Sequence, residues 1–445
     1  MQKNVKKLGF FGALSLVVGN IIGIGIFTTT GYMATHIHNG YLILLAWMVG
    51  AIYAWSGAIV YGLLSRAYPI SGGDYQYLSR MVHPFTGYLF GWSAFFVTYS
   101  GSVAALAIAS AYYLDGTLLI VDFDRVLFMV GSFEITLIKV VAILAIILFT
   151  WINYRGIIVS GRFQIMLTAG ILILLIGFAV AGSFSAEINP ARLLQRTETP
   201  EQVSGFLTAL IAVLFSYMGW TTAVYVAEEI ENPRNILPKA LLVGVILVAI
   251  IYIWINVVYL LSMPLSEMTG VVNIGSLIAI HLWGESGQVI VSLLILVAVL
   301  SSLNSTILSG PRIYMAMGRD GFLMGKTEKL HPRFKVPHVA IIWQAVWSII
   351  LVLSGSFNQL LSFVVFVVVI FSVLAGMMGL RIGIAQKETS RWQLFGATFY
   401  ILFCLVIMVN TLWQQMVESL IGLGILLLAI PFYYFEQRRK YRLNA

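Results

Sequence analysis

Gly19, Gly23 and Gly25, with Asn20 among them, stand in the middle of the first apolar run, Gly19-Asn20-Ile21-Ile22-Gly23-Ile24-Gly25-Ile26-Phe27. Each glycine weakens a helix interior by about 1 kcal/mol against alanine. Bare backbone at bilayer depth is tolerated only where protein or a water-filled cavity covers it. The stretch therefore predicts a break in a membrane helix, and the chemistry it offers is that of the peptide group. The helix resuming at Ile24-Gly25-Ile26 would present N–H groups and a positive dipole end to a carboxylate. Carbonyls released at Asn20, Ile21 and Ile22 would accept from an ammonium. A second stretch, Phe215-Ser216-Tyr217-Met218-Gly219-Trp220, carries the same signature and could add carbonyls from Phe215, Ser216 and Tyr217. The rings of Phe215, Tyr217 and Trp220 could close over a ligand or simply pack, and Asn20 could bond within the break or to a neighbouring helix.

Other chemistry is sparser. Ser301 and Ser302 could supply hydroxyls to a cation; the plainer alternative is that they bond carbonyls of their own helix. Glu228 and Glu229, followed by Arg234 and Lys239, could form a gate of ion pairs, with a solvated cluster as the competing reading. His36-x-His38 has no third ligand, so no metal site is predicted. The six histidines fall outside the apolar runs or at their edges, which leaves an intramembrane enzyme without groups converging at depth. No Gly-x-x-x-x-Gly-Lys-Ser/Thr loop occurs and no cofactor is implied. Cys404 is the single cysteine, so no internal disulfide forms.

The elements that must position these residues are apolar helices. The 445 residues are 60% hydrophobic and 10% charged, with mean hydropathy +0.94. Soluble domains carry about 25% charged residues, so the reading is an all-α polytopic membrane protein, one integral domain over 1–445. Twelve spans can be drawn, near 9–34, 41–65, 85–114, 135–153, 160–183, 203–230, 240–262, 287–311, 338–354, 358–380, 394–413 and 416–435. They are numbered 1 to 12 below. Spans 1, 3 and 6 exceed the roughly 20 residues that cross a bilayer and must tilt, break or project. The start, with Lys3, Lys6 and Lys7, reads as a retained first helix and not a removed signal peptide.

With both termini on one side, 22 of the 26 Lys and Arg residues lie there; only Arg125, Lys139, Arg192 and Arg196 lie opposite. Basic residues stay cytoplasmic, so both termini are expected inside. Topology explains the net charge of +8, and no nucleic-acid partner is implied. Residues 263–286 are too polar to span, with Ile274–Trp283 as a short surface helix. Residues 312–337 read as a basic cytoplasmic loop containing Arg312 and Arg319. The interruptions in spans 1 and 6 are five spans apart. Paired interruptions point to a transporter binding site, so spans 1–5 (about 9–183) and 6–10 (about 203–380) read as inverted repeats, with spans 11 and 12 (about 394–435) added.

Four signatures together resemble the amino acid–polyamine–organocation (APC) superfamily of permeases, nearest to its bacterial L-amino-acid transporter-like members. They are Gly19–Phe27; Pro69-Ile70-Ser71-Gly72-Gly73-Asp74-Tyr75-Gln76-Tyr77-Leu78 followed by Gly91-Trp92; Phe215–Trp220 with Glu228 to Ala240; and Ser302-Leu303-Asn304 through Arg312 to Gly318-Arg319-Asp320-Gly321. The resemblance implies a leucine-transporter-like fold of 5+5 inverted repeats with broken helices 1 and 6. It also implies alternating access, an amino acid substrate, and exchange or proton coupling without ATP. Phe215 matches an aromatic position that closes over substrate in family members. Two positions depart from the pattern. The family usually has serine at Ile24, and many relatives carry a lysine at Ile171, seven residues after Gln164. Sodium-coupled relatives of the wider fold use span 8 hydroxyls, here Ser301 and Ser302.

With no acid, arginine or lysine at depth in spans 1, 3, 6 and 8, the expected substrate is a small or medium neutral L-amino acid. Binding would fall to Asn20–Ile26, Phe215, Ser216, Tyr217, Gly219 and Trp220. Sodium-coupled symport is the alternative within the class; a channel or an enzyme is the alternative outside it. The sequence leaves the oligomeric state open.

Overall fold

The computed structural model describes residues 7–118, 125–130, 133–194, 203–322, 326–355, 357–386, 389–414 and 416–444. Lys3, Lys6, Arg196 and Lys387 of the charge count lie outside the described residues. Among those described, ten helices are long and apolar enough to cross a membrane. Two shorter apolar helices, Val203–Tyr217 and His338–Ser354, occupy the sixth and ninth expected positions. The chain is a helical, polytopic membrane protein. One antiparallel hairpin, Val126–Val130 with Phe133–Thr136, joins spans 3 and 4 and departs from the all-α expectation. Its β-branched and aromatic residues flank Gly131-Ser132 in the sequence, which is a hairpin pattern.

Each over-long span resolves its excess length differently. Span 1 is two helices, Phe10–Ile21 and Gly25–Met33. Span 3 stays continuous by a π-helical turn, Ala94–Thr98, set between Pro84–Ser93 and Tyr99–Leu118. Span 6 stops at Tyr217, turns, and continues only as the short helix Thr222–Tyr225 and the 3₁₀ turn Ala227–Glu229. Span 8 runs unbroken from Glu285 to Arg319, through Pro311. Arg312 and Arg319 are thus on a helix and not in the expected loop. The short helix at Ile274–Trp283 has the expected bounds, yet it buries Ile274, Gly275, Ile278 and Ala279 and packs Gly275 on Phe27, so it is half-submerged and not a surface element.

The interior belongs to the broken spans and their neighbours. In spans 1 and 2, 61% of the apolar window is buried in protein; in span 12 only 28% is, so that helix is peripheral. Lipid is as apolar as leucine, so helices here associate by close packing and hydrogen bonds and not by a hydrophobic drive. Two aromatic clusters illustrate this. Trp47 meets Tyr217 and Tyr252 edge to face, and the two tyrosines are tilted on each other, between spans 2, 6 and 7. Tyr53 packs on Trp220 and Tyr400 between spans 2, 6 and 11.

Candidate functional site

The first helix ends where Ile22 turns extended, at φ −75° and ψ 97°. Ile22, Gly23 and Ile24 are unwound before Gly25 starts the next helix. Three of the carbonyls this frees, those of Gly19, Ile21 and Ile22, are taken by neighbours. The Ser302 hydroxyl donates to Gly19 O and Ile22 O, each at 3.2 Å, and the Tyr252 hydroxyl donates to Ile21 O at 3.1 Å. Among the described residues no partner is found for the N–H groups of Gly23, Ile24, Gly25 and Ile26. These four donors sit at the positive end of a helix dipole. Gly23 is partly exposed and Ile24 is 39% exposed, in a stretch whose other side chains, Ile21, Ile22 and Ile26, are buried.

The second break lies directly against the first. Gly219 has φ +119°, a region few L-residues enter, and a Cβ there would stand 2.4 Å from Asn20 O. Asn20 Nδ2 donates to Gly219 O at 3.2 Å and to the Thr222 hydroxyl, while Thr306 donates to Asn20 Oδ1 at 3.4 Å. Asn20 therefore ties both breaks to span 8. Gly25 is packed against span 6. A Cβ on Gly25 would lie 2.5 Å from Ser216 Oγ and 2.9 Å from Ser216 Cα, so Gly25 permits helix contact. Gly23 has the room instead, its nearest neighbour being Ser302 Oγ at 3.7 Å from a built Cβ.

The aromatic candidates separate. Phe215 is 45% exposed. Tyr217 is fully buried with its hydroxyl on Trp47 O at 3.3 Å, and Trp220 is buried against Tyr53. Their side chains face the core and only their backbone adjoins the break. Ser216 is likewise committed, to Thr29 at 2.7 Å and Ala212 O at 3.1 Å. Of the two span 8 serines only Ser302 faces the break, and it does not bond its own helix. Ser301 instead accepts from Gln164 Nε2 at 2.8 Å. Gln164 continues to Asn304, then Asn153, then Ser160, a buried chain of neutral groups joining spans 4, 5 and 8. Gln164 and Thr168 also reach Ser15 O of span 1. Ile171 is fully buried one helical stretch beyond, so no ionisable group enters this network.

At the basic end the chain is stitched shut. Leu8 N donates to Glu229 O and Glu231 N donates to Leu8 O, both at 2.9 Å, pairing the chain before span 1 with the chain after span 6. Glu229 makes a two-toothed pair with Arg312, at 2.8 and 3.0 Å, and Arg312 is 1% exposed. Glu228 pairs with Arg319 at 2.9 and 3.0 Å. Arg234 and Lys239 are not the partners, because span 7 carries them to its outer side facing Arg66 of span 2. Asp74, missed as a site residue, is buried where the helix Asp74–Met81 begins, and accepts from Tyr61 at 2.8 Å and from Tyr225. Burial pushes its carboxyl up to about 6, with the Tyr225 and Tyr61 hydroxyls pulling partly back.

A sequence model of the amino acid permease family matches residues 8–431, nearly all of the fold just described. The chain belongs to the amino acid permease family. The permease is 31% identical over 375 residues to the serine/threonine exchanger SteT of Bacillus subtilis (strain 168), covering 83% of this chain and 82% of that one. It is 25% identical over 451 residues to the human large neutral amino acids transporter small subunit 2, covering 96% and 80%. It is also 25% identical over 439 residues to the mouse Asc-type amino acid transporter 1, covering 96% and 81%. The APC resemblance and amino acid transport are therefore established at the level of the family.

Proposed function

We propose that this permease is a secondary active transporter that moves neutral L-amino acids across the cell membrane by alternating access, as an exchanger or proton-coupled symporter. Twelve spans, both termini cytoplasmic, and repeats over about 9–183 and 203–380 complete the reading. The observation that carries it is the juxtaposition of two unwound stretches, Ile22–Ile24 and Met218–Thr221, with unpartnered N–H groups on the first. A zwitterion needs donors for its carboxylate and acceptors for its ammonium, and both are costly to bury unpaired. The N–H groups of Gly23 to Ile26 supply the donors, and the carbonyls of Asn20, Ser216 and Tyr217 the acceptors. The polar side chains at the breaks, Asn20, Thr29, Ser216, Thr222, Tyr252, Ser302 and Thr306, are all uncharged, which suits a side chain without charge. Ile24 and Phe215 give that side chain an apolar wall. The ion pairs of Glu228 and Glu229 hold the basic end together.

Purified protein in liposomes, screened with labelled alanine, serine, threonine, leucine, arginine and glutamate, tests the proposal. Saturable uptake of the neutral set, stimulated by internal amino acid or an inward proton gradient, is expected. Uptake of arginine alone, or non-saturating flux, would overturn it. The convergence of Ser302 Oγ with Gly19 O and Ile22 O favours sodium coupling as the second reading. The hydroxyl proton already satisfies both carbonyls, so uptake without sodium is expected. A sodium requirement that Ser302→Ala removes would select the second reading.

A further inference from the structure

Beyond the second break, the chain leaving span 6 is fastened to the loop between spans 2 and 3. Gly72 N donates to Tyr225 O at 3.0 Å. Glu228 N donates to the Ser71 hydroxyl at 3.1 Å, and Ser71 N donates to Glu228 Oε1 at 3.4 Å. The Tyr225 hydroxyl returns to Asp74. Two glycines allow this approach. Gly72 and Gly73 have φ +111° and +48°, and a Cβ on Gly73 would stand 2.5 Å from the Tyr225 ring. Residues 71–74 therefore latch onto residues 225–228, while Leu8, Arg312 and Arg319 hold residues 228–231 from other sides.

Among the described residues Asp74 is the one buried acid, at 4% exposure. Its partners are neutral hydroxyls, Tyr61 of span 2 at 2.8 Å and Tyr225 of span 6. Tyr77 on its own helix, Tyr99 of span 3 against the Tyr225 ring, and Tyr400 of span 11 add only phenols. From span 8, Arg312 is paired with Glu229, Arg319 with Glu228, and Asp320 is bonded to Tyr75. Arg80 turns to Gln76, and Arg381 of span 10 is exposed. In the helix after Asp74–Met81, His83 caps the start and Tyr88 packs on Phe322 and Tyr433. A carboxylate shut in with phenols is costly to ionise, and burial pushes it up to about 6 against the pull of its two hydroxyl bonds. If Tyr225 leaves with span 6, water reaches the carboxyl and its proton affinity falls toward the ordinary value near 3.8. Between those values the latched form holds more protons than the released one. Acid therefore favours the latch, and that preference is lost as pH rises through about 6.

We propose that Asp74 is a proton-binding site that regulates the permease from its cytoplasmic side, a proton there holding the loop Ser71–Asp74 on Tyr225 and keeping the basic end shut. The site rests on the alternating access and orientation proposed above and is indifferent to which amino acid is carried, so its test reads opening and not flux. In full-length protein carrying Cys404→Ser, the reporter Ala227→Cys puts a thiol inside the latch, at a fully buried position. Its alkylation by a maleimide is followed from pH 7.5 to 5. Each rate is divided by that of the same reporter with Asp74→Asn, which cancels the thiol's own pH dependence; Asp74→Ala is the reference if Asp74→Asn does not fold. The ratio is expected to fall about tenfold over this range, reaching half near pH 6. Tyr225→Phe removes a donor to the ionised carboxyl and should move that midpoint to higher pH, a shift that lost packing alone does not produce. A level ratio from a thiol that does react would overturn the proton site and leave the transport reading standing, and so would an unmoved midpoint in Tyr225→Phe. A thiol that reacts at no pH in either form would show that the basic end does not part, and would overturn the site together with alternating access.

Discussion

At Gly23 a single hydrogen in place of a side chain separates an open break from a filled one. Gly23→Ala should fold with an unchanged melting midpoint and bind amino acid at least tenfold more weakly, because the added methyl occupies the approach to the N–H groups. Gly25→Ala should instead lower the midpoint, since its methyl strikes the Ser216 backbone at 2.9 Å; equal behaviour of the two variants would remove the distinction. Asp74 supplies a pH signature. Its carboxyl sits near 6 in the fold against an ordinary value near 3.8, so the buried arrangement holds more protons than a solvated one between those values. Its contribution is full below the ordinary value and lost as pH rises through about 6. On going from pH 7.5 to 5 the wild type should therefore gain melting temperature relative to Asp74→Asn, and parallel curves would contradict this. The sequence made the two break motifs readable because glycine at bilayer depth is costly. It could not say which glycine faces a ligand and which a helix, since that depends on Ser216, nearly two hundred residues away. Tyr217 and Trp220 were left open between ligand and core for the same reason: a ring beside a break looks the same whichever way it points.

Among the elements, span 8 does more than its hydropathy announces. Ser302 holds the end of the broken helix, Thr306 holds Asn20, and Arg312 and Arg319 hold the acids after span 6. An apolarity pattern ends this helix at Pro311 because proline and the six Lys and Arg residues of 312–337 look like a loop. Paired charge lets the helix run on, with Arg312 buried by Glu229 and by Leu308 O. Removing one partner of a buried pair strands the other, at about 3–5 kcal/mol. Arg312→Met should thus sharply lower the melting midpoint, and adding Glu229→Met should recover part of the loss; a double variant no better than the single would show that the two are uncoupled. Ser302→Ala removes the donor to two freed carbonyls and should cost about 1–3 kcal/mol, read as a lower midpoint. The breaks in spans 1 and 6 and the bounds of span 9 were legible. The hairpin at Val126–Thr136 was overlooked because the search was for runs of twenty apolar residues, and each of its strands has five or fewer.

For the whole molecule, the asymmetry of charge is the most informative sequence property, and it makes a topology prediction. On a Cys404→Ser background, Lys335→Cys should react with impermeant maleimide only from the cytoplasmic side and Glu134→Cys only from outside; the reverse pattern would invert the assignment. The count speaks to loops and not to the contacts between them, which is why the sequence leaves Arg234 open as a gate residue while the structure pairs Glu229 with Arg312 and Glu228 with Arg319. Sequence distance also hid Leu8, a residue without charge or motif whose backbone bonds both flanks of Ile230. That small parallel bridge has a mechanical meaning. Under the alternating access proposed above, the basic end cannot part unless Leu8 lets go of the chain after span 6, so this pairing would act as a bolt drawn across that door. A load fused upstream would be felt as force on the bolt, and turnover would slow even though no atom of the binding site had moved.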